Sequence, residues 1–270
     1  MSENLPDFIC IGAQRAGTTW LYQCLKEHPA VFVPEKKEVR FFNYQYSEGL
    51  DWYRSHFEGH QPGQILGELT PDYHRQAEAI DRIAKDVPGV KLVYVLRDPV
   101  ARAYSQYSLY LETEYRGLTF HDACNVKRHE LVDWGQYGKH LSHVLSHFPE
   151  DQIKILLYDE LKADPLLFLR TLFEFLEVDR DFVPSIVDKK VNRAVFPRAQ
   201  SVIRNAGLGA MIDVVSRTPV GNWLKKRHYQ RGSQVPESDA RQLAHEFAPD
   251  LEQLSEIVGR DFSFWLKPYI

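Results

Sequence analysis

Phe8-Ile9-Cys10-Ile11-Gly12-Ala13-Gln14-Arg15-Ala16-Gly17-Thr18-Thr19-Trp20 is the stretch that decides the fold. A short apolar run leads into a glycine turn, and the turn leads into an amphipathic segment over residues 21–28. That order reads as strand, tight turn, helix. Such a turn aims backbone N–H groups and the positive end of a helix dipole at one point, which suits a phosphate or a sulfate. Gly12 and Gly17 have the spacing of a P-loop, but a P-loop continues with Lys and then Ser or Thr. Here the turn continues Thr18-Thr19, so the lysine that grips a nucleoside triphosphate is missing, and a cation stands inside the turn at Arg15. The loop is built for a different anion.

Outward from this turn, Lys91-Leu92-Val93-Tyr94-Val95-Leu96 is a second apolar run rich in β-branched residues, as expected for a strand buried on both faces. Arg97-Asp98-Pro99 follows, then Arg102 and Ser105. Proline suits the first position of a helix, which puts Arg97 at the carboxyl end of the strand and Ser105 about two turns into the next helix. Ligands of open α/β sheets bind at that end of the strands. Further strands are expected at 65–69 and 153–158, with a short one at 31–33, beside those at 8–13 and 91–96. Helical patterns cover 18–28, 76–86, 100–115, 137–148, 165–176 and 236–258. The alternation predicts a parallel sheet flanked by helices.

At 270 residues and 44% hydrophobic, the chain can bury a large core. A net charge of −4 argues against a nucleic acid partner. The acidic N-terminus is not expected to be a signal peptide, and no run reaches the ~20 apolar residues of a membrane span. Cys10, Cys24 and Cys124 show neither a disulfide pattern nor metal-ligand spacing. These features point to a reduced, cytoplasmic, bacterial protein with no metal site.

Arg15-Ala16-Gly17-Thr18 and Arg97-Asp98-Pro99 with Ser105 together resemble the sulfotransferases that use 3′-phosphoadenosine 5′-phosphosulfate (PAPS). The similarity is greatest to the heparan sulfate, or glycan, branch and its bacterial relatives. It extends through Lys37-Glu38-Val39-Arg40-Phe41-Phe42, Gly67-Glu68-Leu69-Thr70-Pro71-Asp72-Tyr73, Gly135-Gln136-Tyr137 and 153–158, then Arg231-Gly232-Ser233 and 259–265. The resemblance implies a P-loop-like α/β fold, with 1–270 as one domain. Its α/β core covers about 7–178, and a helical and loop region, 179–270, completes the donor and acceptor sites. The animal glycan enzymes carry a membrane anchor that is not expected here.

The resemblance also implies roles. Arg15, Ala16, Gly17, Thr18, Thr19 and Trp20 would hold the 5′-phosphate of PAPS, with Arg15 also stabilising the departing oxygen. Arg97, Ser105 and Arg231-Gly232-Ser233 would hold the 3′-phosphate. Glu38 would be the general base. The bland alternatives are a turn arginine at 15, a strand-end salt bridge from Arg97 to Asp98, and a solvated basic turn at 231. For Glu38 the alternative is a surface ion pair with Lys37 and Arg40. The family carries Lys where this chain has Arg15, and an arginine is a poor proton donor. The glycan branch has a substrate-binding lysine where this chain has Leu69, which disfavours a polyanionic acceptor. Asp72, Tyr73 and His74 are candidates to line the acceptor pocket, with His74 a second choice of base. Asn192, Arg198 and Tyr158 are candidates to touch nucleotide or acceptor. Segment 208–224 reads as a core helix, an acceptor-site lid or a lipid-facing surface.

The activity implied is transfer of a sulfuryl group to a hydroxyl, less readily an amine, of a small-molecule, glycan or glycolipid acceptor. The product nucleotide is 3′-phosphoadenosine 5′-phosphate (PAP), and no metal is required. A P-loop phosphotransferase lacks its lysine here. A catalytically silent nucleotide-binding protein of the same fold is the third reading.

Overall fold

A computed structural model describes residues 4–187 and 235–270. The five expected strands form β1 (Phe8–Gly12), β2 (Val31–Phe32), β3 (Ile65–Leu69), β4 (Lys91–Leu96) and β5 (Ile153–Leu157). They make one parallel sheet in the order β2-β3-β1-β4-β5. Every residue of β1 is buried, as its central place requires. The pairing with β4 continues past the strand end, where Ala13 donates its N–H to the Val95 carbonyl at 2.7 Å.

Helices α1 (Thr18–Glu27), α2 (Gly49–Ser55), α3 (Ala77–Asp86), α4 (Pro99–Tyr110), α5 (Phe120–Val126), α6 (Arg128–Leu131), α7 (Tyr137–Leu145), α8 (Tyr158–Ala163), α9 (Pro165–Leu176) and α10 (Glu237–Val258) flank it. α4 starts as its sequence demands. Pro99 occupies the first turn, and the Asp98 carboxylate accepts from Val100 N at 2.9 Å and Ala101 N at 3.1 Å. It stops at Tyr110, short of the expected 115, and a turned segment with Gly117 at φ 81° leads to Thr119, which caps α5. Tyr158 opens α8 instead of ending β5, because Glu160 reaches back to the Leu157 N–H at 3.0 Å and turns the chain into a helix.

α10 buries Ala240, Leu243, Ala244, Phe247, Leu251 and Leu254, a stripe at helical spacing. Each leucine or phenylalanine so buried contributes about 1.5–3 kcal/mol. The stripe packs against α7, and the Asp250 carboxylate caps that helix by accepting from the N–H groups of Gly138 and Lys139 at 2.9 Å. These side chains belong to the same buried cluster as the sheet. No helix among the described residues is long and apolar enough to cross a membrane.

Candidate active site

The connection after β1 leads toward β2 at one edge, while that after β4 leads toward β5 at the other. Their diverging loops leave a crevice at the carboxyl ends of β1 and β4, the place where open α/β sheets bind ligands. The turn after β1 enters it with Gly17 at φ 91°, a left-handed conformation that glycine adopts without a Cβ penalty. A Cβ on Gly17 would also lie 2.9 Å from Leu161 Cδ2. No side chain caps α1, so the N–H groups of its first turn are available to an anion. Gly12 meets a stricter limit, since a Cβ there would fall 2.5 Å from His74 Nδ1 and 2.6 Å from the Tyr94 ring.

Three of the expected residues come together here. Arg15 donates from Nε to Ser105 Oγ at 3.2 Å, across 90 residues of sequence. Arg97 donates from Nη1 to the Arg15 carbonyl at 2.8 Å, and its guanidinium lies 4.8 Å from the centroid of the Tyr158 ring. Asp98 does not hold Arg97 in a strand-end bridge. Its carboxylate caps α4 and accepts the Tyr269 hydroxyl at 2.5 Å. The tail adds a second tie, Trp265 Nε1 to Asp159 Oδ2 at 2.8 Å. Thr18 is buried and Thr19 exposed at the start of α1. Trp20 turns its ring into the core against Phe168, and the Ala16 N–H donates to the Ala13 carbonyl at 3.2 Å.

Glu38 lies on a loop beside β3. Lys37 Nζ donates to its Oε1 at 2.8 Å and Arg40 Nη2 to its Oε2 at 2.7 Å. Burial pushes the carboxyl up, but the charges and hydrogen bonds of Lys37 and Arg40 outweigh it and hold the group below the ordinary glutamate value. Burial, and then the charge of Glu114, raise the pKa of Tyr110 on α4 above the ordinary phenol value. Arg15, Glu38 and Arg40 are also three of the four non-glycine residues with positive φ among the described residues. Such conformations cost about 1–3 kcal/mol each and concentrate at functional sites.

Sequence reasoning passed over Glu68, though it stands conspicuously in an otherwise apolar strand. It is 1% exposed and accepts from Tyr53 Oη at 2.6 Å, Tyr73 Oη at 2.9 Å and the Thr70 hydroxyl. Burial raises its pKa, and those hydroxyls oppose the rise. Thr70 Oγ1 in turn accepts the Arg40 N–H at 3.2 Å, and Tyr73 Oη the Phe42 N–H at 3.3 Å. Glu68 therefore orients the two hydroxyls that fasten the Glu38 loop to β3.

Asp72, Tyr73 and His74 are buried and do not line an open acceptor pocket. The His74 ring packs between the carbonyls of Ile11, at 3.2 Å, and Trp134, at 3.3 Å, and burial drives its pKa well below the ordinary imidazole value. It is a structural histidine. Leu69 is buried as well. Arg231, Gly232, Ser233, Asn192, Arg198 and segment 208–224 lie outside the described residues. The three cysteines are free and buried.

The family model of the sulfotransferase domain matches residues 5–207. Heparan sulfate glucosamine 3-O-sulfotransferase 5 of Mus musculus is 33% identical over 189 residues, 65% of this chain and 54% of that protein. Heparan sulfate glucosamine 3-O-sulfotransferase 3B1 of Homo sapiens is 36% identical over 191 residues, 66% of this chain and 48% of that protein. The chain thus spans about half the length of these curated relatives. A sulfotransferase from Alicyclobacillus acidocaldarius shares the fold, with a TM-score of 0.73 at 24% identity over 97% of this chain and 98% of that one. Arg15, Glu38, Arg97 and Ser105 all fall within the matched residues, and the chain belongs to the sulfotransferase domain family.

Proposed function

We propose that the protein transfers the sulfuryl group of PAPS to a hydroxyl of a glycan, glycolipid or small molecule. The observation that carries this reading is the junction of Arg15, Ser105 and Arg97 beside the uncapped start of α1. Two anion subsites adjoin there. The N–H groups of the first turn, with Gly17, Thr18, Thr19 and Arg15, take the 5′-phosphate. Arg97 and Ser105 take the 3′-phosphate, with Arg97 offering a fork that matches phosphate oxygens. Tyr158, already under Arg97, forms one wall. Arg231-Gly232-Ser233 is assigned to the 3′-phosphate from sequence alone.

Glu38 acts as base. Lys37 and Arg40 keep it ionised, and each carboxylate oxygen retains a lone pair for the acceptor proton. The acceptor oxygen forms its bond to sulfur as the bond from sulfur to the 5′-phosphate oxygen breaks. Arg15 and the N–H groups of α1 stabilise the charge left on that oxygen. Positioning and cationic stabilisation suffice for this chemistry, so no metal is assigned to it. The relatives' names point to a glucosamine hydroxyl, and Leu69 in place of a substrate-binding lysine favours an acceptor of lower charge. A cytoplasmic, bacterial setting completes the reading.

Titration with PAP, followed by thermal unfolding, tests it. PAP should raise the melting temperature, the Arg97→Ala variant should lose the rise, and ATP with Mg²⁺ should not reproduce it. A shift with ATP and Mg²⁺ but none with PAP would replace this reading with a phosphotransferase.

A further inference from the structure

α3, α7 and the turn after α7 bring three metal-ligating side chains together. His143 lies in the last turn of α7, and His147 follows four residues later in the turn that ends the helix. Their ring centroids are 5.0 Å from each other. Opposite them, α3 presents Asp81. Its Oδ1 is 2.9 Å from His143 Nε2 and 2.9 Å from His147 Nε2. The three ligand atoms lie within 4.8 Å of one another.

That is the spacing of a metal's ligand shell. A tetrahedral ion with bonds of about 2.1 Å sets its ligand atoms about 3.4 Å apart. The contacts to Asp81 fall just inside this value, and small ring rotations open them to it. The bare ion-pair reading explains less. Exposed pairs of this kind contribute about 0–1 kcal/mol, which gives little reason for two imidazoles to converge on one carboxylate oxygen. The donor set also selects the ion. Two imidazoles and a carboxylate suit Zn²⁺, Co²⁺ or Ni²⁺, whereas Mg²⁺ and Ca²⁺ call for shells of oxygen. The ligands are a third to a half exposed, so a fourth position faces solvent and takes water.

We propose that Asp81, His143 and His147 form a binding site for a divalent transition metal of the Zn²⁺, Co²⁺ and Ni²⁺ class. The ion joins α3 to α7. α3 follows the Tyr73–Arg75 turn that fastens the Glu38 loop, and α7 carries His140, whose ring lies 5.3 Å from that of His74. The ion therefore fixes the two helices that buttress the carboxyl end of β3, and takes no part in the transfer. Local spacing could not reveal it, because Asp81 stands 62 residues before His143 in the chain.

The test uses the chain without a histidine tag, stripped with chelator and titrated with Zn²⁺ in a calorimeter. One equivalent should bind saturably, and the melting temperature should rise without PAP. His143→Ala and His147→Ala should each weaken binding at least ~10-fold, and the double variant should abolish it. All three ligands are at the surface, so the metal-free variants should melt as the unaltered chain does. Co²⁺ should give the visible bands of a tetrahedral site without thiolate charge-transfer absorption. Absence of saturable binding, unchanged binding in the double variant, or a thiolate signature would each overturn the proposal. Neither the titration nor the spectrum depends on sulfuryl transfer, so the result stands apart from the proposed activity.

Discussion

Replacing Glu68 by Gln would separate the fold's tolerance from the site's demands. The amide keeps the size of the carboxyl and one acceptor oxygen, but it turns an NH₂ toward hydroxyls that already donate. Tyr53, Thr70 and Tyr73 all donate to Glu68. A hydrogen bond to a charged group contributes about 1.5–3 kcal/mol, and a buried group left unpaired costs about 1–3 kcal/mol. At least one of the three bonds is lost. The amide spares the cost of burying a charge, the same cost that raises the Glu68 pKa, and this offsets part of the loss. The net destabilisation is about 2 kcal/mol, or roughly 4–8 °C in melting temperature at about 2–4 °C per kcal/mol.

The larger effect falls on the loop. Thr70 and Tyr73 hold the N–H groups of Arg40 and Phe42, so their reorientation releases residues 37–42 and displaces Glu38. A misplacement of about 1 Å can cost on the order of 10²-fold in rate. Arg15 bonds to Ser105 and Arg97 to the Arg15 carbonyl, whereas Glu68 bonds to Tyr53, Thr70 and Tyr73, so PAP should bind Glu68→Gln as it binds the unaltered protein. Urea unfolding, PAP titration and transfer rate at saturating donor measure the three quantities. Amide exchange over 37–42 reports the loop without any acceptor. If exchange there and the transfer rate both stayed normal while stability fell, Glu68 would be a core residue only. If PAP affinity fell in step with the rate, the division between loop and donor subsite would be wrong.

Other outcomes follow from the same geometry. Glu38→Gln should lower kcat by about 10²–10⁴-fold and leave PAP affinity intact. Because Lys37 and Arg40 hold the Glu38 carboxyl down against burial, the acid limb of kcat/KM should lie below the ordinary glutamate value of about 4.3. The folded-state pKa is depressed, so the stability from this group is present above about pH 4.3 and is lost as pH falls through the lower folded value, which urea unfolding across that range would read. Tyr269→Phe removes the hydroxyl from Asp98, next to Arg97, and should cost about 1–2 kcal/mol and weaken PAP binding a few-fold by calorimetry. Unchanged PAP affinity would remove the tail from the donor subsite.

The strands were legible because burial on both faces leaves continuous apolar runs, and the observed bounds of β1, β3, β4 and β5 fall within a residue of those runs. The junction of Arg15, Ser105 and Arg97 was legible because the carboxyl ends of neighbouring parallel strands must meet. Periodicity states that a residue is buried, not what its polar atoms touch. Hence Glu68 went unread, though its partners Tyr53 and Tyr73 are only 15 and 5 residues away. Hence too His74 was read as a second base, where its ring nitrogens face carbonyls 63 and 60 residues distant. Trp20 is placed at the 5′-phosphate by resemblance alone, and its ring makes an edge contact with Phe168 that the sequence does not announce.

The position of β1 has a consequence for synthesis. Of the five strands of this sheet, the middle one is made first, and its neighbours are β3 and β4. One of its edges stays bare until Leu69 has been made and the other until Leu96. At about 5–20 residues per second that second interval is on the order of ten seconds. Throughout it, Phe8-Ile9-Cys10-Ile11 offers unpaired backbone and apolar side chains to any similar strand nearby. A nascent chain of this topology therefore depends on being sheltered early, and the crevice that defines the protein opens only after that exposure ends.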